Sequence, residues 1–232
     1  MDKAEFDQFA NEYLSLHAAN IRASGEAPEF FASYKVADAL RETRSRRLDA
    51  VNILDFGSGV GNAVPFFLER FPLAELTCAD ISRRSLEISR LRFPNADVTY
   101  AEITGNRLPF PDEQFDLVFS ACVFHHVPEE EHVSWLAEMR RVTRHGGVLI
   151  VFEHNPLNFL TVSAVRNCPF DANARLVSAR TLRHRTLAAG WRQSKVTFRI
   201  FFPHALAFAR PLERWMGRVP LAAQYFVSAA RI

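Results

Sequence analysis

Apolar residues recur along this chain in two rhythms, one helical and one strand-like. Phe6, Phe9, Tyr13 and Leu14 fall three and four residues apart, the spacing that lines one helix face. Gly25 and Pro28 interrupt that stripe, and a second amphipathic stretch runs from about Glu29 to Arg47. From Val51 the pattern changes. Short apolar runs at Val51 to Phe56, Leu76 to Ala79, Val98 to Ala101, Phe115 to Ser120 and Val148 to Phe152 read as strands. Helices are expected between them: one through Arg70, one from Ser82 to Arg92, and one from Pro128 to Thr143 closing near Gly146-Gly147. Ser82 suits an N-cap, because its hydroxyl can accept a free amide of the first turn. A helix near Ser178 to Ala189 follows, with strands near Lys195 to Phe201 and Gln224 to Ala229.

Strand, crossover helix, strand is the signature of a parallel sheet covered on both faces. The expectation is therefore an α/β fold with a doubly wound, mostly parallel, seven-stranded sheet. No repeat, low-complexity tract or linker divides the sequence, so residues 1–232 read as one domain. Within it, 1–48 form a helical N-terminal cap, 51–153 a ligand-binding core, and 154–232 a substrate-side part.

Composition narrows the function classes. Hydrophobic residues make up 48% and charged residues 23%, as in a folded domain rather than a disordered chain. Net charge is only +2, so no global field calls for nucleic acid or a membrane surface. A basic cluster at Arg41, Arg44, Arg46 and Arg47 reads as a solvated helix end complementing the dipole. Cys78, Cys122 and Cys168 show no CxxC pair or framework spacing, which argues for a reducing compartment and against a zinc site; no metal is expected. The start, MDKAEFDQFANEY, is acidic where a secretory signal would be apolar, and no apolar run is long enough to span a bilayer. A cytoplasmic location is expected.

The chemistry-bearing segment is Ile53-Leu54-Asp55-Phe56-Gly57-Ser58-Gly59-Val60-Gly61-Asn62. Alternate glycines after a buried strand let the backbone turn sharply and approach a ligand with no Cβ in the way. The next helix begins nearby, and its free amides suit a carboxylate or phosphate. A dinucleotide site would place a third glycine where Asn62 stands. Asp80, ending the next strand, can accept both hydroxyls of a ribose, or can simply cap the helix that follows.

The glycines instead follow D-x-G-x-G-x-G, which resembles motif I of the class I S-adenosylmethionine-dependent methyltransferases. Three further segments carry the same resemblance: Glu102 through Leu108-Pro109-Phe110-Pro111-Asp112 to Phe115-Asp116; Ser120-Ala121-Cys122-Val123-Phe124-His125-His126-Val127; and Arg141-Val142-Thr143-Arg144-His145-Gly146-Gly147, with His145 where proline is usual. They place the chain in the small-molecule branch, over about Val51 to Phe152. The resemblance implies S-adenosylmethionine as cofactor and a small-molecule methyl acceptor. It implies cofactor contacts from Asp55, Gly57, Ser58, Gly59, Gly61, Asn62, Asp80, Ile81, Glu102, Ile103 and Ala121, with Thr104 as a competing alignment for Glu102. FDQFANEY resembles the opening of several members, where Phe9 and Tyr13 would close over the cofactor.

Methyl transfer from a sulfonium is an in-line displacement, so alignment and exclusion of water matter most. His126 or His154 is expected to act as general base or to orient the acceptor, the Glu153-His154-Asn155 cluster offering an acid to hold an imidazole; packing beneath the cofactor is the plainer use of either. Asn155 to Ala174 and Phe201 to Phe208 suggest a partly apolar acceptor pocket. The arginines at 180, 183, 185, 192, 199, 210, 214 and 218 could recognise an anionic group.

Overall fold

The computed structural model describes residues 24–232, so the stripe through Phe6, Phe9, Tyr13 and Leu14 lies outside the described residues. Seven strands form one sheet: β1 (Asn52–Phe56), β2 (Glu75–Asp80), β3 (Val98–Glu102), β4 (Phe115–Ala121), β5 (Thr143–His154), β6 (Arg192–Arg199) and β7 (Gln224–Ala230). Their order is β3-β2-β1-β4-β5-β7-β6. The first five are parallel, and β7 runs antiparallel to both β5 and β6. The expected doubly wound, mostly parallel α/β sheet is the architecture found.

Side chains alternate across the sheet, and each face buries its own core. Leu54, Phe56, Val118, Leu149 and Val151 pack with Trp135, Leu136 and Met139 of α4 (His132–Val142) and Leu182 of α5 (Ala179–Ala188). Ile53, Leu117, Phe119, Ile150 and Phe152 face the other way, towards α1 (Pro28–Ser45), α2 (Val64–Arg70) and α3 (Arg83–Arg92). Strands covered on both sides need apolar residues at every position, which is why β4 reads Phe-Asp-Leu-Val-Phe with one interruption. That interruption, Asp116, is fully buried and accepts the amides of Val51 and Asn52 at 2.8 and 2.7 Å. Arg144 pairs with its second oxygen. Asp116 thus fixes where β1 enters the sheet, well away from the ligand edge.

Two boundaries differ from the sequence expectation. The helix expected from Pro128 to Thr143 begins with a single 3-10 turn at Glu129–Glu131, and α4 ends at Val142. Gly146-Gly147 do not close it. They lie inside β5, where the register with β4 shifts between Phe115 and Leu117. Gly146 has φ +81°, and a Cβ on Gly147 would stand 2.9 Å from the carbonyl oxygens of Arg144 and Asp116. The pair is a strand irregularity that only glycine can fill. The strand expected at Lys195 to Phe201 lies earlier, at Arg192–Arg199, because Ile200 at φ +67° turns the chain out of it.

Among the described residues, no helix is long and apolar enough to cross a membrane.

Candidate functional site

The carboxyl ends of β1 to β5 lie along one edge of the sheet, and β7 starts there because it runs the other way. The glycine loop, Asp80, Glu102, Ala121, the His125-His126 turn and His154 are therefore gathered at that edge by topology alone. Open parallel sheets bind ligands at this edge.

The loop after β1 is held in shape from beneath. Gly57 and Ser58 donate to the Ala79 carbonyl at 2.8 and 3.2 Å, and Gly61 donates to the Ser58 carbonyl at 3.0 Å. Gly57, Gly59 and Gly61 all have positive φ, at +72°, +53° and +80°. They differ in what surrounds them. A Cβ on Gly57 would stand 2.4 Å from a methyl of Val123, and one on Gly61 2.1 Å from Ser89 Oγ, whereas one on Gly59 would meet nothing within 4 Å. Gly59 is the point where the loop opens onto space. Asn62, in contrast, is tied down, its Oδ1 accepting Arg92 Nη1 at 2.9 Å.

Asp80 joins the loop to the next helix. Its Oδ2 accepts the Gly59 amide and its Oδ1 the Ser82 amide, both at 2.8 Å. Ser82 caps α3 by accepting Ser85 N at 3.0 Å, so the residue next to Ile81, rather than Asp80, is the side-chain cap. Ile81 is partly buried, and Ile103 is buried with its amide on the Asp80 carbonyl at 2.8 Å. Glu102 ends β3 directly opposite Asp80 in the register, while Thr104 lies beyond the strand and is exposed.

Asp55 is buried beneath this loop. Burial pushes its carboxyl up to about 7, Asp80 adds to the rise, and the Lys35 ammonium opposes it. Between the ordinary 3.8 and about 7, the fold holds a proton that the unfolded chain has released. Stability from this group therefore falls as pH rises through that window. Carboxyl NMR should show Asp55 titrating near neutrality, and higher still in Lys35→Met; an ordinary carboxylate titration would contradict this environment.

The other end of the edge holds a cluster the sequence only half revealed. The Glu153-His154-Asn155 group divides three ways, because neighbours on a strand point to opposite faces. Glu153 turns towards the α4 side and is fully buried, its Oε2 accepting His125 Nδ1 at 2.7 Å and its Oε1 the Phe124 amide at 2.7 Å. Glu153 therefore orients His125 and not His154, correcting the expectation. His154 turns towards α1, where it contacts Gln224 at 3.4 Å and favours the thiolate of Cys122. Asn155 clamps the chain before β7, donating to the carbonyls of Pro220 and Ala222 at 3.1 and 2.7 Å.

Burial alone would hold His125 neutral, but Glu153 and Asp171 outweigh it and raise its pKa well above the usual histidine value. Burial and the neighbouring His125 lower His126. His126 Nε2 lies 3.2 Å from Asp171 Oδ1. Burial also opposes ionisation of Cys122, yet His154 and Lys35 bring its thiol down to about 7. Lys35 Nζ reaches Cys122 Sγ at 3.2 Å, and Cys122 sits at a positive φ of +60° just past Ala121. Cys122 and His125 were read only as parts of the segment after the fourth strand, Asp171 only within the stretch 155–174, and Lys35 not at all; a lysine on the inner face of an amphipathic helix was the available signal for the last.

The arginines considered for anion recognition are largely engaged with protein. Arg185 binds Glu129 and His132, Arg199 binds Asp38, and Arg210 binds Glu26 and covers the Phe30 ring. Leu157, Phe159, Leu160 and Phe208 are exposed beyond the same edge.

Residues 54–151 match the family described as "Methyltransferase domain". The chain is 31% identical over 169 residues to a trans-aconitate 2-methyltransferase of Azoarcus sp. (strain BH72), covering 72% of this chain and 60% of that protein. It is 35% identical over 104 residues to a ubiquinone/menaquinone biosynthesis C-methyltransferase of Cupriavidus metallidurans, covering 44% of this chain and 42% of the other. The chain thus spans less than two thirds of the length of either relative. Among solved structures, a SAM-dependent methyltransferase of Thermotoga maritima, described as a possible histamine N-methyltransferase, superposes with a TM-score of 0.67 at 22% identity, covering all of both chains. That likeness is one of fold.

Proposed function

We propose that this chain is a class I small-molecule methyltransferase that moves the methyl group of S-adenosylmethionine onto an oxygen, nitrogen or carbon of a small acceptor. The observation carrying this reading is the clasp of Asp80 on the Gly59 amide beneath the one loop glycine that faces open space. It presents a bare backbone and a carboxylate side by side, which suits the methionine part and the ribose of one ligand. A nicotinamide dinucleotide fits less well, since Asn62 replaces the third glycine and Arg92 locks it in place.

In this reading Gly57, Ser58, Gly59, Gly61 and Asn62 form the methionine-side cradle, with Asp55 buried below. Asp80 and Ile81 serve the ribose, Glu102 rather than Thr104 serves the adenine with Ile103, and Ala121 forms floor beneath the reacting end. Tyr13 keeps its proposed place as a covering residue. When bound, the cofactor supplies an electrophilic methyl on a sulfonium. The chain's task is to align an acceptor lone pair with it, keep water out, and accept any proton the acceptor loses.

His154 is the better placed of the two histidines for that last role. It is half-buried at the sheet edge beside Cys122 and Gln224, while His126 is turned to the Asp171 carboxylate. His154→Ala should lower turnover roughly 100-fold with cofactor affinity unchanged, by the usual worth of a general base. Equal turnover would return His154 to a packing role. Three free cysteines, suited to a reducing compartment, support a cytoplasmic enzyme.

Thermal unfolding with S-adenosylmethionine, S-adenosylhomocysteine, NAD and NADP tests the cofactor. A ligand at about 100 times its Kd adds about 2.7 kcal/mol of stability. Stabilisation by the adenosyl ligands alone is expected. Stabilisation by a nicotinamide dinucleotide instead would overturn the reading.

A further inference from the structure

His125, His126 and Asp171 converge on one point beside the loop after β4. One donor atom from each lies within 4.8 Å of the other two. Asp171 Oδ1 is 3.6 Å from His125 Nε2 and 3.2 Å from His126 Nε2. A four-coordinate cation with bonds of about 2.0–2.1 Å to nitrogen and oxygen keeps its ligand atoms about 3.3 Å apart. Both Asp171 separations are close to that edge length. Asp171 Oδ1 is itself buried and makes no well-formed hydrogen bond to either ring.

The surroundings are those of a built site. His125 and Asp171 are 2% and 6% exposed, so their donor atoms are shielded from bulk water. His125 gives its other ring nitrogen, Nδ1, to Glu153 at 2.7 Å, and Glu153 is in turn fixed by the Phe124 amide. A carboxylate behind a ligating imidazole sets its tautomer, a recurring arrangement at metal centres; here the cation takes the place of the Nε2 proton that Glu153 and Asp171 otherwise favour on His125, and that proton leaves to solvent. The backbone holds the pieces in place: Asp171 lies in a 3-10 turn, Pro169–Asp171, and the Arg175 amide donates to the His125 carbonyl at 2.8 Å.

We propose that His125, His126 and Asp171 bind a divalent cation of the zinc class, which clips the 169–171 turn onto the loop after β4. Two imidazoles and one carboxylate favour zinc and its first-row neighbours over magnesium or calcium, which prefer oxygen alone. The site departs from the sequence expectation of no metal, since two adjacent histidines and an aspartate 45 residues on (171 − 126) have no recognisable ligand spacing. Its position gives it a consequence. The His125 ring is 5.1 Å from His154, so the clip fixes the wall against which an acceptor would lie. The ligands sit on the turn after β4 and on the 169–171 turn, with Glu153 of β5 behind His125, so the cation site does not depend on which cofactor the glycine loop takes.

The test uses the full chain, free of any histidine tag and stripped with a chelator. Cobalt(II) is added as a spectroscopic probe, then zinc in competition with a chromophoric chelator, with magnesium as control. Saturable binding of one cobalt with visible ligand-field bands, displaced by zinc and not by magnesium, is expected. Asp171→Asn and Glu153→Gln should each weaken zinc binding by roughly 10-fold or more, as loss of a ligand or its supporting carboxylate does. Should either variant fail to fold by circular dichroism, His126→Gln provides the same comparison. Absence of saturable binding by the folded wild type, or affinity equal in wild type and folded variants, overturns the proposal and leaves a proton-sharing network.

Discussion

Replacing Gly57 by alanine is expected to damage both the fold and ligand binding, whereas the same change at Gly59 should spare the fold. Both glycines sit in the left-handed region, where an L side chain costs roughly 1–2 kcal/mol. At Gly57 the new methyl also stands 2.4 and 2.9 Å from the two methyls of Val123, a buried, β-branched neighbour. Overpacking of this kind adds about 1–3 kcal/mol, so Gly57→Ala should lose about 2–5 kcal/mol in all. Movement of residue 57 would also pull its amide from the Ala79 carbonyl, the bond that shapes the loop. At Gly59 nothing lies within 4 Å, and only the local strain of roughly 1–2 kcal/mol applies. Its methyl projects into the space assigned to the cofactor, and affinity should fall by roughly 100-fold, equivalent to about 2.8 kcal/mol. Denaturant midpoints paired with calorimetric titration of S-adenosylmethionine separate the two effects. Unchanged cofactor affinity in Gly59→Ala would move the ligand off this loop.

The sheet was legible because each central strand is buried on both faces and interrupted in register by turn residues. Leu117 to Phe119 is apolar throughout, and Ile53 to Phe56 is broken only by Asp55, too little to read as a polar face. The junction of α4 and β5 was not legible. Gly146-Gly147 look like a helix stop, and only the facing carbonyls of Arg144 and Asp116 show that they serve a strand. The glycine loop was readable for the opposite reason: its chemistry lies in its own backbone and needs no distant partner. The histidine cluster depends on pairs far apart in sequence. Lys35 and Cys122 are 87 residues apart, His125 and Glu153 are 28 apart, and nothing local signals either contact. The separation of Glu153 from His154, by contrast, is written in strand alternation itself, since only one of two neighbours on a strand can face α1.

Asp80→Ala should be the most costly single change at the candidate site, and the asparagine variant should show why. Two backbone amides, those of Gly59 and Ser82, lose their acceptor together. Each orphaned donor costs about 1–3 kcal/mol, so a loss of roughly 2–6 kcal/mol is expected. Some of it is returned, because Asp80 is one of the groups that raise the Asp55 carboxyl, and removing it relieves a buried repulsion. Asp80→Asn retains one carbonyl oxygen and can keep one of the two amides, so it should recover part of the stability. A ribose asks for more. Its two hydroxyls each need an acceptor, and one amide oxygen already shared with the backbone cannot serve both. Asp80→Asn is therefore expected to fold well and still bind S-adenosylmethionine roughly 100-fold more weakly, about 2.8 kcal/mol. If the asparagine variant bound the cofactor as tightly as the wild type, the carboxylate would serve only to join the loop to α3. The ribose would then have to be sought opposite it, at Glu102, the next acid along the same edge.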